Sequence, residues 1–173
     1  KLLSKYKRLC YINADIILPP NFLIIIESLK KIRQYVGIGN RYDVDYQELI
    51  NFNESDWWEK YLHKIKNKGD WHKQGGVDYF IFNKNTYKDM PDVYLGLPGS
   101  DNWLIWESRR RRIPVVDLTS SIMAIHQNHD YSHLDGKMES SGNGYNYYLK
   151  GIEANHNRNL YNTPLNINDA NWF

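Results

Sequence analysis

Short apolar runs of strand length alternate along this chain with segments whose apolar residues fall at helical spacing, and no stretch repeats. Such alternation demands a sheet with helices packed on it, because each apolar face needs a partner layer. The expected fold class is therefore α/β, a mixed sheet flanked by helices. Residues 8–12 read as a buried strand. "PPNFLIIIESLKKIRQY" reads as a helix near 20–34, with Phe22, Ile25, Ile26, Leu29 and Ile32 in register and proline at its start. "VGIGNRYDVDY" is a strand, and "NESDWWEKYLHKIKNKG" a helix that Asn53 or Ser55 can cap and Gly69 closes. "DWHKQGG" reads as a loop, "VDYFIFN" as a strand, and "GLPGSDNWLIWESRRRR" as a loop feeding a helix that begins at Ser100 or Asp101. "IPVVDL" and "SIMAIHQ" are further strands, and a helix is expected near 145–157. With 173 residues and no linker, the chain reads as one domain spanning 1–173.

Four places combine reactive side chains with the backbone a site needs. The first strand ends in "NAD", so Asn13 and Asp15 stand where the chain leaves the sheet. Asn and Asp end strands as ordinary turn residues, but open α/β sheets also bind ligands at carboxyl strand ends, where hard divalent cations take oxygen ligands. Gly75 and Gly76 precede a strand and permit either a turn or the close approach of a substrate. In "GSDNW", Asp101 is either an N-cap or a general base beside Trp103. A helix start lowers a carboxylate pKa whereas a base benefits from a raised one, and the sequence leaves that conflict open. Last, "AIHQNHDYSH" carries His126, His129 and His133. A helix would put all three on one zinc-binding face, but the surrounding Asn, Asp, Ser and Gly argue for loop. His126 closes an apolar run and so sits at a strand end. "RRRR" at 109–112 fits a solvated helix C-terminus, and "RYDVDY" a half-exposed strand with Asp43 and Asp45 on one face.

Read in order, "NAD", "GGVDYFIF", "GLPGSDNWLIWES" and "IHQNH" resemble the GT-A fold of nucleotide-sugar-dependent glycosyltransferases, inverting galactosyltransferases above all. That resemblance covers about residues 8–133. It implies that Asp15 is the final acid of the metal motif, Asn13 its first residue, and His126 the late metal ligand. It implies that Gly75 and Gly76 lie against the donor, that Asp101 is the catalytic base, and that Asn102 and Trp103 line the acceptor pocket. The implied function is transfer of a sugar from a nucleotide-diphosphate donor to a carbohydrate or other hydroxyl acceptor, with inversion and with Mn²⁺ or Mg²⁺ as cofactor. The motif is Asn-x-Asp in place of the usual Asp-x-Asp, which removes one carboxylate. Only about a dozen residues precede it, so the N-terminal nucleotide-binding strands are expected to be missing and the domain truncated.

Composition narrows the alternatives. A net charge of +2 gives no bulk attraction for nucleic acid, and no run is long enough to span a bilayer. Fourteen Tyr and six Trp suit a sugar-stacking surface, so a non-catalytic carbohydrate-binding module is the alternative reading. The histidine cluster raises a third, a zinc hydrolase. The single cysteine, Cys10, excludes an internal disulfide, reads as buried packing, and points to a reducing, cytoplasmic location. The sequon Asn53-Glu54-Ser55 is too common to place the chain in a secretory lumen.

Overall fold

The computed structural model describes residues 4–73, 75–129 and 150–170. They form a mixed α/β structure: strands β1 (Arg8–Ile12) and β2 (Ile16–Ile17), helix α1 (Phe22–Ser28), strand β3 (Val36–Val44), helix α2 (Trp57–Ile65), strands β4 (Gly69–Trp71) and β5 (Val77–Asn83), helix α3 (Ser100–Arg110), strands β6 (Val115–Asp117) and β7 (Ala124–Gln127), and helix α4 (Ile152–Arg158). The expected first helix is shorter than its apolar pattern, continuing only as a 3₁₀ turn over Leu29–Lys31. Neither Asn53 nor Ser55 caps α2. It starts after Asp56 without a side-chain cap, and Gly69, expected to close it, instead opens β4, which runs into the segment expected to be a loop. Cys10, expected in the core, is exposed on β1.

The long strand β3 organises the sheet. Its first half pairs with β5 antiparallel and β6 parallel, and its second half with β4 antiparallel and β7 parallel. Outside these, β1 pairs with β5 and β2 with β7, both antiparallel. In a flat sheet β1 and β2 would lie four strand spacings apart, about 19 Å. Yet only Asn13, Ala14 and Asp15 connect them, and the four Cα steps from Ile12 to Ile16 reach at most about 14 Å. The sheet must therefore curl until its two flanks meet, and that link sits where they do.

Burial on both faces explains the continuous apolar run of β5. Phe80 and Phe82 join the cluster under α3, with Trp103 and Leu104, while Tyr79 and Ile81 pack with Tyr35 against Phe22, Ile25 and Ile26 of α1. A third cluster places Val44 and Ile125 under Tyr61 and Ile65 of α2. The pairing of β3 with β5 is irregular at one point. Ile38 pairs with Phe80 and Asn40 with Val77, so β5 carries one extra residue there. Val77 and Phe80 then both enter the α3 cluster, and Asp78 falls in the bulge between them. The bulge also brings the Tyr79 hydroxyl so near Gly39 that any side chain at that position would collide with it.

Candidate functional site

The turn at Asn13–Asp15, closed by Ile16 N–H donating to Asn13 C=O at 3.3 Å, and strand β7 bring the first group together. Ile16 pairs with His126, and Gln127 N–H donates to Asp15 C=O, so Asp15 stands beside the end of β7. One carboxylate oxygen, Asp15 Oδ2, faces His126 Nε2 at 3.4 Å and His129 Nε2 at 3.0 Å. One ligand atom from each of Asp15, His126 and His129 lies within 4.8 Å of the others, a spacing able to hold a metal ion. The other oxygen, Asp15 Oδ1, is buried without a hydrogen-bond partner. Such an orphan is costly unless a cation or a further donor satisfies it. Donor set and orphan together fit a divalent cation. His129 lay within the histidine run of the sequence, and among the described residues it groups with Asp15 and His126. His133 lies outside the described residues.

A second layer of polar contacts fixes the first. Asp43 Oδ1 meets His126 Nδ1 at 2.9 Å, Asp43 Oδ2 meets His72 Nδ1 at 2.5 Å, and Arg41 Nε reaches Asp43 Oδ1 at 2.8 Å. With Nδ1–H bound to a carboxylate, Nε2 of His126 is the nitrogen left to a ligand. Arg41 continues the chain outward, donating from Nη1 to Asp78 Oδ2 at 2.8 Å. Asp78 Oδ1 accepts from Asn13 Nδ2 at 2.6 Å, and Asn13 Oδ1 accepts from Tyr11 Oη at 2.7 Å. The amide of Asn13 is thus committed to bracing Asp78.

These contacts set the charges. Burial alone would raise the carboxyls of Asp15 and Asp43. Hydrogen bonds from His126 and His129 outweigh it at Asp15, and those from His126 and His72, with the Arg41 charge, outweigh it at Asp43, so both are lowered to about 2. Burial pulls His126 down, but its bonds to Asp15 and Asp43 win and raise it to about 9.

Beside this network lies a cleft of about 270 Å³, which Arg41, Asn13 and Asp78 share with Gly75, Gly76 and Asp101. Its far wall is the loop before α3. Buried Asn157 of α4 pins that loop, accepting from Tyr94 N–H at 2.9 Å and donating to Tyr94 C=O at 2.9 Å. Gly99 holds φ at 92°, a left-handed conformation that favours glycine, and occupies the N-cap position. Neither Ser100 nor Asp101 is therefore the cap. Ser100 Oγ turns back to Leu97 C=O, and Asp101 is left in the first turn facing the cleft. Burial, reinforced by the negative charge of Asp78, overcomes the nearby backbone N–H groups and pushes Asp101 up to about 6. Burial beats the helix start.

The other expected residues divide. Gly75 is open, whereas Gly76 is buried with His72 packed so close that a Cβ would sit 2.6 Å from its ring. Asn102 borders the cleft, but its amide donates to Leu165 C=O at 2.6 Å. Trp103, expected in the acceptor pocket, lies in the core at 4 % exposure, its ring 6.0 Å from that of Tyr87. One residue further along a helix is a rotation of about 100°, and that turns Trp103 inward. Arg41 and Asp43, read from the sequence chiefly as part of a half-exposed strand, join the site, as do His72 and Asp78, which were not singled out. Comparison of the chain with known protein families, with curated proteins and with solved structures finds no match.

Proposed function

We propose that this protein is a metal-dependent glycosyltransferase of GT-A type, moving a sugar from a nucleoside-diphosphate donor to an acceptor hydroxyl with inversion. One observation carries the reading. A carboxylate and two imidazoles converge where the sheet flanks meet, beside a cleft whose opposite wall presents a carboxyl near 6. Asp15, His126 and His129 would hold the cation. Two nitrogen donors favour Mn²⁺ over Mg²⁺, which prefers oxygen. When bound, such an ion neutralises charge on a departing diphosphate.

The chain's own groups do the rest. Asp101 takes the proton as the acceptor oxygen bonds to the anomeric carbon and the bond from that carbon to the diphosphate oxygen breaks, the electron pair leaving with the phosphate. A base near 6 is charged at neutral pH yet basic enough to accept that proton, and such bases contribute roughly 10²–10⁴-fold. Arg41, held by Asp43 and Asp78, presents a cation on the cleft wall, and open Gly75 lets the donor approach the backbone.

The test is direct. Mn²⁺ is titrated into the protein and into Asp15→Ala, and transfer is followed with Asp101→Asn. Tight Mn²⁺ binding that Asp15→Ala abolishes, with transfer lost in Asp101→Asn but donor binding kept, is the expected result. Sugar binding that survives both chelation and Asp101→Asn, with no transfer in the parent protein, would instead mark a carbohydrate-binding module.

A further inference from the structure

Away from the cleft, near the start of β1, a second and larger groove of about 1030 Å³ opens between the β1 approach, α1 and the end of β5. Lys5, Lys7, Arg8, Lys30, Arg33 and Lys84 line it, against a single carboxylate, Glu27, which is already paired with Lys30. The whole chain carries a net charge of only +2, so positive charge is concentrated on this face.

Apolar side chains stand among these cations. Leu23 is 70 % and Ile24 72 % exposed, on the side of α1 opposite the core-facing Phe22, Ile25 and Ile26. Tyr6 is 65 % and Ile32 37 % exposed, and Tyr6 carries the Lys5 ammonium 5.3 Å from its ring centre. The solvent face of a helix is ordinarily polar. Here exposed Leu23 lines the basic groove with Ile24 next to it along α1, while Glu27 and Ser28 are the exposed polar residues of the same helix. Apolar side chains set beside lysine and arginine are the pattern of elements that lie in a bilayer interface.

We propose that this face docks the protein on an anionic phospholipid surface, Leu23 and Ile24 entering the headgroup region and the lysines meeting lipid phosphates. Charge complementarity selects this occupant. A second copy of the same face would bring like charges together, and nucleic acid would leave Leu23 and Ile24 without an apolar partner. Along β1 the groove's Arg8 and the cleft's Tyr11 stand three residues apart, about 10 Å, so the docking face and the cleft open toward opposite ends of the strand. The inference is independent of the glycosyltransferase reading.

The experiment is vesicle co-sedimentation of the full chain. Vesicles are of phosphatidylcholine alone or with one third phosphatidylglycerol, at low and high salt, beside sedimentation of the protein by itself. Expected are binding to the anionic vesicles only, loss at high salt, and about fivefold weakening for each lysine neutralised, hence about 25-fold for Lys5→Gln with Lys7→Gln. Leu23→Ser with Ile24→Ser weakens binding at every salt concentration. All four positions are exposed, and melting curves confirm that the variants remain folded. Equal binding to neutral and anionic vesicles, folded variants that bind like the parent, or a dimer that these substitutions dissociate each overturn the proposal.

Discussion

Replacing Asp101 with Asn should make the protein more stable at neutral pH. Its carboxyl titrates near 6 in the folded state against a reference of 3.8, because folding buries it beside Asp78. Between pH 4 and 6 the folded chain holds a proton that the unfolded chain has released, so this group's contribution to stability falls as pH rises through that window. Two units at 1.36 kcal/mol each set a ceiling of about 3 kcal/mol above pH 6. Solvent at the cleft reduces this, leaving about 1–2 kcal/mol and a rise of roughly 2–8 °C in melting temperature for a chain of this length. Asn preserves the shape, carries no charge, and can still accept from the backbone donors near position 101. Asp15 and Asp43, lowered to about 2, work oppositely: their stabilisation is present above 3.8 and is lost as pH falls through 2. His126, raised to about 9, stabilises fully below 6.5 and loses that contribution as pH rises through 9. All three are common to parent and variant, so the difference between the two isolates position 101. The assay is urea unfolding of both from pH 4 to pH 8 in chelator. The gap should open between pH 4 and 6 and then stay constant. A variant no more stable at pH 7, or a gap independent of pH, would refute burial as the origin of the shift.

Other perturbations test other contacts. Arg41→Met should cost about 3 kcal/mol in urea unfolding, because it leaves Asp43 and Asp78 without their shared cation; a loss below about 0.5 kcal/mol would show that both are well solvated. Asp43→Asn should weaken Mn²⁺ binding about 10–100-fold by calorimetry without removing a ligand, since it frees the orientation of His126; unchanged affinity would remove that role. Mn²⁺ at a hundred times its dissociation constant should stabilise the protein by about 2.7 kcal/mol and His126→Ala not at all, and equal melting shifts in both would place the ion elsewhere.

The strands were legible because burial on both faces leaves a compositional mark: "VDYFIF" is apolar almost throughout since α1 and α3 cover its two sides. Asp15 and His126 could be singled out because each terminates an apolar run, where a titratable group is conspicuous. Arg41, Asp43, His72 and Asp78 gave no such mark. "RYDVDY" alternates like any half-exposed strand, and "DWHKQGG" has the composition of a loop though it contains part of β4. What unites these residues is a bulge in β5 and pairing across β3, both long-range and invisible to local pattern. Trp103 misled for the converse reason, since adjacency along the chain to Asp101 is not adjacency in space on a helix.

The three residues between β1 and β2 also govern how the molecule can move. Asn13 braces the cleft through Asp78, and Asp15, two positions on, faces the imidazoles. The link is a tight turn, closed by the Ile16 N–H bond to Asn13 C=O at 3.3 Å. Three residues held that way leave little slack, so a shift of β1 that widens the cleft carries Asp15 with it. The seating of Asp15 and the bore of the cavity are mechanically one coordinate, and a single residue inserted at Ala14 would cut them into two.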